Sequence, residues 1–278
     1  MSDVTNSTNS QVYNIQDDGN LIGQVARVIL VLMPRAFVAA GFDANGTLLT
    51  ASSSDYGKTH TPWILDFFEH QFIHNPLVSN TKKVVAVFVA NEQNMLVPAP
   101  LFDETAAATW LKSMYFIENS ETVSSYSLQS DNAYYVGAWP AAIKSLVGRY
   151  LPGRKVLPID YYQFKRQSTA GDRIECCIIR DEASATLYKG GKLQWHQSFR
   201  YETPEDIAYH LNLALKLHNL ERENVLLQTA AGGPDITETI NYLTQYFPKL
   251  KEGDSSIPGN RNWMATVYLL QQLYTCAL

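Results

Sequence analysis

The hydrophobic positions of this chain run through the same order twice. Val28–Met33 is an apolar run that breaks at Pro34-Arg35; Phe37–Phe42 follows, then Asn45-Gly46, then Thr47–Thr50. About 145 residues later Ile174–Ile179 breaks at Arg180-Asp181, Ala183–Tyr188 follows, and Gly190-Gly191 leads into Lys192–Phe199. Asn-Gly and Gly-Gly suit two-residue turns with positive φ at both central positions, so each block reads as three antiparallel strands. A helix start comes next in both. Thr61-Pro62 pairs an N-capping Thr with Pro at the first helical position, and Ile64, Phe67, Phe68 and Phe72 then share one face. Thr203-Pro204-Glu205-Asp206 repeats the signal, with Asp206 favouring the positive end of the helix dipole. Ile207, Leu211, Ala214 and Leu217 line one side of this second helix as far as about His218. An apolar run, Lys83–Ala90 and then Asn224–Gln228, reads as a strand covered on both faces. The Thr-Pro pair and this strand recur at an offset of roughly 141–142 residues, close to that of the hairpins, as a duplication predicts.

Residues 1–20 are polar, without periodicity, and are expected to be flexible. A first lobe spans 21–165, interrupted at about 94–133 by an insertion with Pro98, Pro100, a helix over Asp103–Met114 and a Ser-rich stretch ending near Asp131. Tyr134–Trp139 reads as a strand, Ala141–Tyr150 as a helix after Pro140, and Lys155–Ile159 as a short strand. The hinge is expected near Asp160–Gly171, and the second lobe spans 166–278. It ends in a loop, Glu252–Asn260, and a helix, Asn262–Tyr274, whose Trp263, Val267, Tyr268, Leu270 and Tyr274 should seal the lobe or pack on another protein.

Three antiparallel strands, a helix, a strand, a helix and a further strand, given twice, resemble the actin-like ATPase fold: an α/β architecture of two ribonuclease H-like lobes. The stretches Leu96-Val97-Pro98-Ala99-Pro100-Leu101-Phe102 and Phe199-Arg200-Tyr201-Glu202-Thr203-Pro204-Glu205-Asp206 look like an uncharacterised bacterial domain-of-unknown-function family with that fold. The resemblance covers nearly the whole chain from about residue 25. The layout is also similar to cytoplasmic actin-like proteins of type IV pilus and type II secretion machines. It implies nucleotide in the cleft between lobes, with phosphates and magnesium held by the turn after the first strand of each lobe.

Those turns are where the chain departs from active members. A phosphate cradle needs Gly, so that backbone amides converge on the oxygens, and Asp to order the water shell of the metal. Met33-Pro34-Arg35-Ala36 has neither, and Pro34 removes a donor. Arg180-Asp181-Glu182-Ala183-Ser184 keeps an acid but no Gly, and Glu182 would repel a phosphate. Leu226–Pro234 fits better: a strand ending in the pair Gly232-Gly233, which active members place beside the adenosine and which also serves a plain strand-to-helix turn. Asp160, near the lobe junction, and Asp181 could face the cleft. Gly232, Gly233, Asp181 and Asp160 are therefore the candidate nucleotide-binding residues, with no catalytic residue and no metal ligand assigned.

Other chemistry is poorly supported. A two-metal nuclease needs an Asp in the first strand; Val28–Met33 has no acid and Ile174–Ile179 only Glu175. His70 and His74, four apart with Asp66 one turn earlier, have metal-ligand spacing, but a solvent-facing stripe is the simpler account. The net charge of −5 argues against a nucleic-acid partner. Cys176 and Cys177 are adjacent in a strand and point to opposite faces, so reduced thiols in a cytoplasmic protein are expected. No signal peptide or membrane insertion is visible. The aromatic cluster Tyr134-Tyr135, Trp139, Tyr161-Tyr162 and Phe164 should fill a core. The expectation is a catalytically silent actin-like scaffold or protein-interaction module without cofactor, which binds a protein partner or itself. The alternative is a divergent nucleotide-binding protein, ATPase or sugar-kinase-like, that takes ATP and magnesium in the cleft.

Overall fold

The first lobe is built on β2 (Arg27–Met33), β3 (Ala36–Phe42) and β4 (Leu48–Asp55), preceded by β1 (Asn9–Asn14) and α1 (Leu21–Gln24). The structure is a computed structural model that describes residues 9–14, 21–56, 63–165, 171–232, 236–253 and 261–278, with the backbone alone for 9–14 and 261–265. α2 (Leu65–His74) and β5 (Val84–Val89) follow, then an inserted module of β6 (Asn94–Pro98), α3 (Ala107–Met114), β7 (Glu121–Leu128) and β8 (Ala133–Pro140). α4 (Ala141–Tyr150) and β9 (Lys155–Pro158) return to the main sheet. A 3₁₀ turn (Ile159–Tyr161) and α5 (Tyr162–Lys165) lead toward the second lobe. This lobe holds β10 (Arg173–Ile179), β11 (Glu182–Lys189), β12 (Lys192–Arg200), α6 (Pro204–Leu217), β13 (Leu226–Gly232), α7 (Ile236–Tyr246), β14 (Leu250–Glu252) and α8 (Arg261–Ala277).

The duplication is visible in the strand orders, β1-β4-β3-β2-β5-β9 and β12-β11-β10-β13-β14. Apart from the added edge strand β1, each lobe places its third, second, first, fourth and fifth strands side by side. The first three are antiparallel and the last two parallel to the first. The central strands are buried on both faces, which is why β2, β5 and β10 are almost unbroken apolar runs. Strand alternation sends Cys176 into the core under α6 and α7, and Cys177 into the core between the lobes.

That interlobe core is continuous. Ile29, Val31 and Phe42 of the first lobe meet Cys177, Ile179 and Ala230 of the second, with α8 between them. Tyr274 of α8 stacks on Phe42 at 4.0 Å, and its hydroxyl accepts from Arg27 Nη1 at 2.9 Å. The last helix thus seals its own lobe and fastens it to the other.

Several expected boundaries shift, each for a local reason. The Thr61-Pro62 signal and Gly233 lie outside the described residues, and α2 itself starts at Leu65. The first hairpin is closed by the five residues 43–47, because Asp43 Oδ1 accepts from the amides of Asn45 (2.9 Å) and Thr47 (2.8 Å); only Gly46 has positive φ there. At the matching place Gly190 and Gly191 both do. The helix expected from Asp103 begins at Ala107, since the Asp103 carboxylate is taken by the amide and hydroxyl of Thr105. The Ser-rich stretch is a strand, β7, and β8 is the centre of the separate sheet β6-β8-β7, so the inserted module runs to residue 140. The expected hinge is not an open loop at its start, because 159–164 are buried and helical.

Candidate functional site

The two turns expected to cradle phosphate face each other across the cleft, and each carries an arginine with positive φ, Arg35 at 66° and Arg180 at 59°. Pro34 cannot take positive φ, so Pro34-Arg35 has the pattern of a type II turn and Arg180-Asp181 that of a type II′ turn. Neither is a Gly loop with converging amides. The side chains instead cross between lobes: Arg35 Nη1 to Asp181 Oδ2 at 3.7 Å, and Arg180 Nη1 to Asp55 Oδ2 at 3.5 Å. A third pair, Arg200 Nε to Glu92 Oε1 at 2.6 Å, joins the end of β12 to the loop after β5. The Arg180 amide donates to the Gly232 carbonyl at 3.1 Å, and its carbonyl accepts from the Tyr201 hydroxyl.

Behind these pairs lies a cavity of about 30 Å³, lined on its polar side by Asn91, Glu92, Asp160, Glu182, Ser184 and Ser198. That is room for two or three waters, against the roughly 300–1,000 Å³ of a small-molecule site. Loss of hydration at Glu182, and then repulsion from Glu92 and Asp181, push its carboxyl up to about 8, against the pull of Arg200 and Arg35.

Asp160 is the floor of the site. Its position in the 3₁₀ turn brings Oδ2 within reach of Tyr135 Oη (3.2 Å), His196 Nε2 (2.9 Å) and Ser198 Oγ (3.1 Å). The β11–β12 register sets Thr186 opposite His196 and Ser184 opposite Ser198. His196 Nδ1 lies 2.8 Å from Thr186 Oγ1, whose hydroxyl donates to Gln163 Oε1. Gln163 Nε2 donates in turn to Ser184 Oγ at 3.1 Å. This Asp-His-Thr chain has the connectivity of a nucleophile relay, but Thr186 is fully buried with its proton committed, so it acts as a strut between α5 and the second sheet.

Of the four candidate residues, the structure brings Asp160 to the cavity and Asp181 to its mouth, ion-paired. Gly232 ends β13 beneath α8, where an added Cβ would lie 3.5 Å from Thr266 Oγ1, an ordinary contact; nothing local demands a glycine. Glu182, Glu92, Arg200 and His196 complete the site and were not among the candidates. The paired arginines at matching turns were the available signal. Elsewhere, His70 and His74 are exposed on α2 with their rings 4.5 Å apart, and among the described residues no group of three or more His, Cys, Asp or Glu could hold a metal. Tyr135, Trp139, Tyr161, Tyr162 and Phe164 are buried core residues. No helix among the described residues is long and apolar enough to cross a membrane.

A family model described as "Protein of unknown function (DUF3822)" matches residues 32–250. No curated protein matches the chain in sequence. Among solved structures, a Bacteroides thetaiotaomicron protein described as having an actin-like ATPase fold and unknown function superposes with a TM-score of 0.72 at 16% identity, over 92% of this chain and 98% of that one. A chain of a PilM–PilN type IV pilus biogenesis complex superposes with a TM-score of 0.58 at 14% identity, over 91% and 99%. The fold is that of the actin-like ATPases.

Proposed function

The chain belongs to the DUF3822 family of unknown function, and from the chemistry of its cleft we propose that it is a catalytically silent actin-like protein, a scaffold or protein-interaction module. The observation that carries this reading is the exchange of both phosphate turns for reciprocal ion pairs, Arg35 with Asp181 and Arg180 with Asp55, over a cavity of about 30 Å³. Polyphosphate oxygens would meet Asp181 and Glu182 where active members offer backbone amides. The occurrence of this fold in the PilM–PilN complex supports a partner-binding role. Three cysteines that form no disulfide favour the cytoplasm.

The test is a thermal melt with ATP or ADP and magnesium. A ligand at a thousandfold excess over its Kd stabilises the folded state by about 4 kcal/mol, which raises the melting temperature by several degrees. No rise at millimolar nucleotide is expected. A magnesium-dependent rise, lost in Asp181→Ala with the fold intact, overturns the reading in favour of a divergent nucleotide-binding protein.

A further inference from the structure

α6 and α7 cover the second sheet on the face away from the cleft. α6 buries Ile207, Leu211 and Leu215 against that sheet, so its opposite side should be polar. It carries an apolar strip instead. Tyr209, Leu213 and Leu217 follow one another at spacings of four and are 64%, 39% and 65% exposed. On the adjoining α7, Tyr246 is 36% exposed, and its hydroxyl accepts from Tyr242 at 3.0 Å. Single apolar side chains on a surface are ordinary, but a strip that continues from turn to turn of a helix marks a face built for contact. Charges flank the strip. Glu205 and Lys216 are exposed and eleven residues apart, which is three helical turns, so they stand in line along one edge. That edge adjoins α7, where Glu205 faces Tyr242.

We propose that this face pairs with itself, and that a second copy of the chain docks on it as an antiparallel two-fold dimer. Turned end for end, a second α6 sets its Leu213 beside Tyr209 and its Tyr209 beside Leu213. The same register sets Lys216 level with Glu205 of the second copy, again twice, because both pairs are centred near Leu211. The strip and its flanking charges are thus complementary to their own inverse, which a two-fold interface requires and a different partner does not. Like edges meet in such a pair, so α7 with Tyr246 faces the same helix of the second copy and widens the contact. The antiparallel arrangement also sets the helix dipoles against each other favourably. Two helix faces per copy make an interface at the small end of specific ones, so association is weak, with a micromolar Kd. The dimer gives the interaction module a partner without resting on the chemistry of the cleft, which lies on the other face of the second sheet.

The experiment is sedimentation equilibrium of the full chain from about 1 to 300 μM at low salt, a range that brackets a weak interface. The expected result is a reversible rise from 31.2 kDa toward twice that mass. Leu213→Arg brings two guanidinium groups within one turn of each other across the axis. It should raise Kd at least about tenfold and leave the melting temperature unchanged, since the side chain is already exposed. Glu205→Lys and Lys216→Glu each set like charges opposite one another twice, and each should raise Kd by about tenfold. The two reversals combined restore opposite pairs and should recover the parental Kd. Glu205 and Lys216 are three turns apart on one helix, so no contact within a chain produces that rescue. A monomer throughout the range leaves the face to another protein and overturns the proposal. So does a dimer that Leu213→Arg leaves intact, or one in which the combined reversal fails to recover the Kd. No arm contains nucleotide and the variants lie outside the cleft, so failure here and failure of the silent-cleft reading are separable.

Discussion

Replacing Glu182 by Gln should make the protein more stable at high pH and change it little at low pH. A carboxyl whose pKa rises from 4.5 unfolded to about 8 folded binds its proton more tightly in the native state. Its stabilising contribution is fully present below pH 4.5, declines as pH rises, and is lost above pH 8. At about 1.36 kcal/mol per unit the full effect is close to 5 kcal/mol. Glu182 is only half-buried, and water at the cleft mouth screens its charge, so about 2–4 kcal/mol is the expected size. Gln keeps the shape and removes the ionisation. Urea unfolding of both proteins at pH 5, 7 and 9, with the m-values checked for equality, should give a difference that grows with pH. Other carboxyls, including the lowered Asp103 and Asp206, titrate alike in both proteins and cancel. Parallel pH profiles, or a variant less stable at pH 9, would refute the assignment of Glu182 as a carboxyl held neutral by its surroundings.

Tyr274→Ala removes the ring stacked on Phe42 and the hydroxyl that accepts from Arg27, and should cost about 3–5 kcal/mol in chemical unfolding; a loss below about 1 kcal/mol would show that α8 does not bind the lobes together. Gly253→Ala places a Cβ 1.9 Å from the Tyr268 ring, whose hydroxyl accepts from Gln228 at 3.1 Å; displacing that ring should cost about 1–3 kcal/mol, measurable by the same melts. Arg35→Met with Arg180→Met should cost only about 1 kcal/mol at low salt and should flatten the salt dependence of stability, because both pairs are solvent-accessible; a salt dependence equal to that of the parent would deny the pairs any role.

The fold was legible because two signals agree in each half. Apolar runs such as Val28–Met33 and Ile174–Ile179 mark strands buried on both faces, and turn residues at matching offsets mark where they reverse. The capping signal at Thr203 is real: Asp206 Oδ2 accepts from the amides of Thr203 (2.9 Å) and Glu202 (3.0 Å). The inserted module was harder to read. Its β7, Glu121–Leu128, is an edge strand of half-buried Ser, Thr and Tyr, with no apolar run to betray it. The site was less legible for a different reason. Asp160 meets His196 across 36 positions, and Arg180 meets Asp55 across 125, so no local pattern links them.

Magnitudes separate what closes the cleft from what fills it. Three accessible ion pairs at about 0.2–1 kcal/mol each contribute no more than a few kcal/mol. α8 places Val267, Leu269, Leu270, Leu273 and Tyr274 in the core between the lobes, and side chains of this kind are worth about 1.5–3 kcal/mol each when buried. The helix therefore contributes more to holding the lobes together than the ion pairs across the cleft do. Opening the cleft would expose the apolar seam along α8.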